Sequence, residues 1–147
     1  MGVTRQTGEK MGTKRSVLVD GRGVPLSAVV SGANIHDSRL LVSTLKAIRK
    51  KSREKDNNLC LDAGYVGKED DVRANRMKPH IRPRSEEKQR GRGRRKARRW
   101  VVERVFSWLN QFRKIRIRYE KLDVSHMGLL SLCCAMIAWR QVITIYG

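Results

Sequence analysis

The chain has 147 residues, which suits one domain with a real core. It carries 33 Lys and Arg against 14 Asp and Glu, a net charge of +19, which predicts a polyanionic partner and favours nucleic acid over an anionic membrane surface. No apolar run reaches about 18 uncharged residues and no signal-peptide region is evident, so we expect a soluble intracellular protein without a membrane segment. The cysteines lack metal-ligand spacing, which argues against zinc and disulfides.

The first third of the chain predicts a flexible lead-in followed by a β-hairpin and a helix. Residues 1–13 are glycine-rich and have no periodicity, so we expect no regular structure there. The β-prone runs 14–19 and 24–30 flank a glycine-containing turn, in which Asp20 is a turn residue. Beyond them, Leu40, Leu41, Leu45 and Ile48 follow helical spacing. This helix is predicted to have Asp37 or Ser38 as N-cap and to end at residues 50–51.

A short apolar strand then precedes a candidate site residue. Leu59 to Leu61 are stopped by Asp62, so this acid lies at the carboxyl end of a buried strand, where ligands gather in α/β sheets. An equally weighted interpretation makes Asp62 a loop residue that caps the next helix. A weak helix from Gly67 to about residue 77 and an extended edge segment at 78–83 are expected to follow.

Residues 82–99 form a basic segment that contains almost nothing apolar. Ten of these 18 residues are Lys or Arg, so the segment is predicted to be mobile and to bind phosphates without sequence preference. The alternative is an ordinary solvated charge run. Within this segment, the residues that we predict to bind DNA phosphates are Arg92, Arg94, Arg95 and Lys96.

The stretch 98–118 is predicted to be one amphipathic helix that carries a single acid, Glu103. Glu103 shares its polar face with Arg99, Ser107, Asn110 and Lys114. One interpretation is ordinary helix-surface pairing with neighbouring cations, which contributes a few tenths of a kcal/mol. The last helix is predicted to begin near Asp123 or Ser125, to include residues 129–137 and to be largely buried, with Trp139 near its end.

These residues together resemble the DDE transposases of bacterial insertion sequences, in the group with D-x-G-Y and Y-(2)-R-(3)-E-(6)-K motifs. Residues 62–65 read D-x-G-Y, and Arg99 with Glu103 keeps the R-(3)-E spacing. The stretches around residues 18–41 and 98–121 are also similar, so the resemblance covers nearly the whole chain. Two positions depart from the motif, because Lys96 replaces the Tyr and Asn110 replaces the Lys.

The resemblance implies an α/β, RNase H-like catalytic domain over residues 14–147, in which two Asp and one Glu hold two Mg²⁺ or Mn²⁺ ions. Oxygen ligands suit these hard cations, which activate the attacking oxygen and stabilise the leaving oxygen in phosphoryl transfer. Asp62 would be the second acid and metal ligand, and Glu103 the third. Arg99 and Lys114 would hold DNA phosphates, and Arg113 or Lys114 would replace the cation lost at Asn110.

The first acid of the family lies on a central strand upstream of the hairpin, and no residue matches it here. Asp20 and Asp37 do not look like replacements, although Asp37 could lie near the site. The chain is therefore expected to be an N-terminally truncated domain, inactive alone and marginally stable, from a decayed element or from a second reading frame. A sharp thermal transition well above about 50 °C would contradict that expectation.

The predicted function is DNA transposition by metal-dependent strand cleavage and transfer. The expected partners are insertion-sequence ends and target DNA, and also a second copy or the full-length transposase, in a cytoplasmic, nucleoid-associated protein. A non-catalytic basic nucleic-acid-binding protein and a regulator that pairs with the full enzyme are the alternatives.

Overall fold

The computed structural model describes residues 12–48, 57–81 and 99–146. These residues form four strands and the helices around them, in a mixed α/β arrangement. In chain order the elements are β1 (Thr13–Val19), β2 (Pro25–Gly32), α1 (Asp37–Lys46), β3 (Asn57–Leu61), α2 (Glu69–Ala74), β4 (Met77–Ile81), α3 (Arg99–Gln111), α4 (Arg113–Arg116) and α5 (Asp123–Tyr146). The predicted lead-in, apart from its last two residues, and the basic segment before Arg99 lie outside the described residues.

The predicted hairpin is confirmed. β1 and β2 pair in antiparallel fashion, with Val17 opposite Ala28. The carboxylate of Asp20 accepts hydrogen bonds of 2.8 Å from the backbone N–H groups of Arg22 and Val24. Asp20 is therefore a turn residue, as predicted, because its side chain holds the turn closed.

β3 and β4 confirm the two further strands that the sequence predicts, and they pair in parallel. Their register places Leu59 opposite Pro79 and Leu61 opposite Ile81. The short helix α2 connects them, as the weak helical pattern after Gly67 predicts. Among the described residues, the strands form two separate two-stranded sheets, so β1 and β3 are each hydrogen-bonded along one edge only.

Strand β1 lies between two apolar layers. Val17 and Val19 belong to a hairpin core that also contains residues of β2, α3, α4 and α5. Leu18 points the other way into a parallel-sheet core with Leu41, Leu45, Leu59, Leu61, Tyr65 and Val72. All three β1 side chains are fully buried. This alternation follows from the two-residue period of a strand and makes β1 the element that both cores share.

Helix α1 differs from its prediction at both ends. Its N-cap is His36, whose Nδ1 accepts a hydrogen bond from the backbone N–H of Ser38. Asp37 does not cap the helix because its carboxylate pairs with Lys14 Nζ at 3.1 Å. The helix ends at Lys46, with Ala47 as C-cap, about four residues before the predicted end.

The predicted single helix over residues 98–118 is interrupted at Phe112, which has extended backbone angles of φ −79° and ψ 107°. The interruption separates α3 from the short α4 and turns Ile115 into the hairpin core. Arg15 bridges the two helices, since its guanidinium donates to the Asn110 side-chain oxygen at 3.1 Å and to the Ile115 carbonyl at 3.2 Å. A tertiary contact thus overrides the local helical pattern.

The prediction that the last helix is largely buried is wrong. α5 begins at Asp123 as predicted and continues beyond Trp139 to Tyr146. Only a narrow seam of α5 packs against the protein, whereas Trp139 is 66% exposed and Leu132 is 58% exposed. By length and composition alone, residues Asp123–Thr144 also meet the criteria for a membrane span, which is weak support for such a role.

Candidate active site

Asp62 directly follows β3 and begins a single 3₁₀ turn, Ala63–Tyr65. Its backbone carbonyl accepts from the N–H of Tyr65 at 3.0 Å. Its side chain makes no capping hydrogen bond to the turn and is only partly buried. The interpretation of Asp62 as a helix-capping side chain is therefore not supported, and its carboxylate stands at the carboxyl end of a buried strand.

A second carboxylate, Asp37, lies in the same neighbourhood. Tyr65 is buried, and its pKa is raised well above the ordinary value by burial first, and then by the negative charges of Asp37 and Asp62. Both acids therefore act on one phenol group. Asp37 is the first residue of α1 and Asp62 follows β3, so acids from two different elements act on the same buried side chain.

Lys14 sets the position of Asp37. Only 6% of Lys14 is exposed, and its ammonium group pairs with Asp37 and donates to the Ile35 carbonyl at 2.8 Å. Because Lys14 is buried, removing the Asp37 carboxylate would leave the ammonium group without this ion-pair partner. The pair therefore fixes the start of α1 against β1. Sequence reasoning missed this cation because Lys14 reads as an ordinary strand residue.

Glu103 is exposed on α3, one helical position after the buried Val102. The opposite face of α3 packs into the hairpin core through Val101, Val105 and Leu109. The helix therefore fixes the backbone of Glu103 while leaving its side chain at the surface. Asp62 follows a strand of the parallel-sheet core, so the two predicted acids are held by different cores.

The cation beside Glu103 has a defined role in packing. The guanidinium of Arg104 lies over the rings of Trp100 and Trp108, at 4.8 and 4.9 Å from their centroids. It also donates to the Arg22 carbonyl at 2.8 Å. Gly23 has φ 94°, and a Cβ there would meet Arg104 Nη2 at 3.1 Å. This stack joins α3 to the hairpin turn through a cation–π interaction, and periodicity alone did not predict it.

The Asn at position 110 is matched to Arg15. Its side-chain oxygen accepts from the Arg15 guanidinium, whereas a Lys there would place two cations together. Burial lowers the pKa of Arg15. A cation from β1 therefore lies beside α3 where the motif Lys is absent. Lys114 is exposed on α4, and its charge acts on Glu120.

The other predicted phosphate-binding residues are not placed by the structure. Arg92, Arg94, Arg95 and Lys96 lie outside the described residues, and Arg99 is described only as the first backbone position of α3. In the described ranges, no group of three or more His, Cys, Asp or Glu side chains is placed to hold a metal ion.

Outside the candidate acids, Glu120 lies beside the buried His126, with 3.5 Å between Oε2 and Nδ1. These two atoms do not form a hydrogen bond, and their contact is an ion pair only when His126 is protonated. The pKa of Glu120 is lowered, first by the backbone N–H of the same residue, against an opposing effect of burial, and then by His126 and Lys114. Because the folded state has the lower pKa, the stabilisation is present at neutral pH and is lost as the pH falls through the folded value.

We therefore predict that Glu120→Gln makes the thermal midpoint less dependent on pH under acidic conditions. The thermal midpoint of the unmodified chain should fall as the pH drops below about 4.5, the ordinary Glu value. Circular dichroism melts between about pH 3 and pH 7 measure this effect. Asp70→Asn is the control, because Asp70 belongs to an exposed ion pair with Arg73. An unchanged pH slope in Glu120→Gln would contradict the prediction.

Comparison with known proteins gives two consistent matches. A protein-family profile described as "Transposase DDE domain" matches residues 3–138. A transposase for insertion sequence element IS402 from Burkholderia cepacia is 33% identical over 139 residues, which cover 89% of this chain and 64% of that protein. The chain thus spans less than two thirds of this relative. No solved structure gives a significant match.

Proposed function

The chain belongs to the DDE transposase family, and we propose that it forms the part of a catalytic domain that carries the second and third acids, Asp62 and Glu103. The reaction would be cleavage and transfer of DNA strands during transposition of an insertion sequence. The observation that carries this proposal is the position of Asp62. Its carboxylate directly follows the buried end of β3 and does not cap the 3₁₀ turn after it. Glu103 adds an exposed acid on a rigid helix at the motif spacing from Arg99.

The proposed fold is RNase H-like, with a central strand between β1 and β3. Two features support this placement. β1 and β3 each have a hydrogen-bonded neighbour on one edge only among the described strands, and both strands carry buried apolar side chains, Val17 to Val19 on β1 and Leu59 and Leu61 on β3. A strand in that position would use both free edges and join the two sheets, because unpaired buried backbone groups are costly. We propose that this strand supplies the first acid.

DDE transposases generally use divalent metal ions, and we propose Mg²⁺, with Mn²⁺ as a substitute. Asp62 and Glu103 would supply two of the oxygen ligands, in keeping with the preference of these cations for carboxylates. The bound ions would supply a nucleophile and stabilise the leaving oxygen. The protein's own contribution is to hold one carboxylate directly after β3 and the other on α3. The third ligand would come from the strand proposed between β1 and β3, and we expect no cleavage without that strand.

The proposed partner is DNA, and the net charge of +19 supports it. Phosphates would be held by Arg99, Lys114 and the cations at positions 92 and 94–96. Their affinity should fall steeply as the salt concentration rises, because the release of counterions from DNA becomes less favourable. We propose that the protein acts in the cytoplasm in association with the nucleoid. The same charge also favours a second candidate function, a basic nucleic-acid-binding protein that performs no chemistry.

Comparing the chain with a longer version separates these two functions. The longer version carries at its N-terminus the corresponding segment of a full-length relative, including its strand and first Asp. We expect nicking and strand transfer with Mg²⁺ or Mn²⁺ from the longer version only. Both proteins should bind DNA, and an electrophoretic assay on labelled duplex measures binding and cutting together.

Each other result has a definite meaning. Cutting by the short chain would show that the first acid is already present, with Asp37 as the first candidate because Asp37 and Asp62 both act on Tyr65. Salt-dependent binding by both proteins without cutting by either would contradict the catalytic proposal. The function would then be DNA binding alone.

A further inference from the structure

The exposed side of α5 is an apolar surface that the function proposed above does not use. The helix packs against the protein through His126, Leu130, Cys133 and Ile137, which recur at steps of four, three and four. The residues on the opposite side are also apolar. From Val124 to Trp139 the sequence contains no Lys, Arg, Asp or Glu, in a chain of net charge +19. Contiguous exposed apolar surface of this kind marks an interaction site.

The exposed residues follow the repeat of a helix–helix interface. We call Gly128, Leu132, Ala135, Trp139 and Val142 the α5 stripe, and all five are exposed. They recur at steps of four, three, four and three, which is the spacing that keeps one seam of a helix against a partner helix. A Cβ added at Gly128 would meet nothing within 4 Å. The space outside this end of the stripe is therefore open.

We propose that the α5 stripe is the interface with the α5 stripe of a second copy, in antiparallel orientation, with a two-fold axis near Ala135. This orientation places Trp139 of one copy opposite Ser131 of the other, and Val142 opposite Gly128. Large side chains then meet small ones, whereas parallel pairing would set Trp139 against Trp139. The surface is thus complementary to itself, as a two-fold interface requires.

The size of the stripe fits a dimer of modest affinity. Leu132 is 58% exposed, Trp139 66% and the adjoining Ile143 52%. With the rest of the stripe, each copy would cover roughly 600 Å², so the total of roughly 1,200 Å² lies at the lower limit of stable protein interfaces. The positive charge of both copies opposes association, and salt screens it. The dimer should therefore strengthen with salt, whereas binding of DNA phosphates weakens.

Sedimentation velocity of the full chain tests the proposal at several protein concentrations and two ionic strengths. We expect a monomer–dimer equilibrium that shifts towards dimer with concentration and with salt. Trp139→Glu should weaken association about tenfold or more, because a central aromatic side chain carries much of the affinity of such interfaces. Its circular dichroism should be unchanged, since Trp139 is exposed. Val66→Glu is the matched control, as Val66 is 61% exposed outside α5.

Cysteine cross-linking tests the orientation. After oxidation with diamide, Ala135→Cys should form a covalent dimer, because residues on a two-fold axis lie within disulfide reach. Val124→Cys should not, since antiparallel pairing separates the two copies of this position. The unmodified chain, which has free Cys60, Cys133 and Cys134, gives the background. Efficient cross-linking through Val124→Cys would overturn the antiparallel arrangement.

The remaining outcomes overturn the proposed dimer. The proposal is overturned if the chain stays monomeric at every protein concentration and ionic strength. It is also overturned if a dimer forms and Trp139→Glu leaves it intact. Equal loss in Val66→Glu would indicate non-specific association. Binding to vesicles of anionic phospholipid by a monomeric chain, abolished by Trp139→Glu, would identify a lipid surface as the occupant instead. None of these readouts requires DNA cleavage, so failure here is distinct from failure of the transposase proposal.

Discussion

Asp62→Asn and Glu103→Gln are each expected to lower DNA strand cleavage by about 10³-fold or more in the N-terminally extended protein. This is the scale of loss when an essential catalytic group is removed. Each amide keeps the shape of the carboxylate but loses its negative charge and one ligand oxygen for a divalent cation. Both positions tolerate the change structurally, because Asp62 makes no capping bond and Glu103 is exposed.

The same variants should retain DNA affinity and its salt dependence. Neither substitution removes a cation, so the phosphate contacts that dominate affinity remain. A nicking assay and fluorescence anisotropy on the same duplex measure the two properties side by side. Asp70→Asn is the matched control for the charge change, since Asp70 lies on α2 in an exposed ion pair. Cleavage within about threefold of the unmodified protein in either site variant would remove that residue from the proposed site.

The sequence predicted those features of the fold that depend on neighbouring residues. The hairpin follows from two β-prone runs and a glycine turn, and Asp20 closes that turn as predicted. The strand before Asp62 follows from a short apolar run bounded by polar residues. In each case the local pattern and the tertiary packing favour the same conformation, and such agreement is what makes a local prediction succeed.

The predictions from sequence were wrong where a residue far away in the chain determines the local structure. Asp37 is a good N-cap by type, but Lys14 takes its carboxylate, so His36 caps α1 instead. The helical pattern over 98–118 gives no sign of the break at Phe112, where Arg15 from β1 bonds to both sides. Neither pairing has a signal in a single sequence, because strand and helix lie far apart along the chain.

Burial of α5 was mispredicted for another reason. An apolar composition predicts that a helix is covered, but it does not say by what. The seam around Leu130 is covered by the same chain, whereas the side that carries Trp139 is not. The candidate site shows the same limit, since the position of Asp62 was predicted while the shared neighbourhood of Asp37 and Tyr65 required the structure.

Leu18→Ala is expected to be the most damaging single substitution in the folded core. Leu18 is fully buried on β1 and packs with Leu41, Leu45 and Leu59 in the parallel-sheet core. It is the β1 residue that contributes an apolar side chain to this core, so truncation opens a cavity between β1, α1 and β3. Such a change costs about 2–5 kcal/mol. The unmodified chain should have a small free energy of unfolding, because two-stranded sheets with a free edge are only marginally stable on their own.

Thermal and urea unfolding by circular dichroism measure the effect. For a chain of this length the loss should lower the thermal midpoint by about 5–15 °C, or leave no cooperative transition at room temperature. Leu26→Ala is the matched control, because Leu26 lies on the paired strand β2 and is 39% exposed, so the same truncation should cost about 1 kcal/mol or less. Equal losses in the two variants would show that the junction between the cores is not what holds this chain together. A sharp thermal transition of the unmodified monomer well above about 50 °C would contradict a small free energy of unfolding. It would show that the two sheets are stable without a strand between β1 and β3.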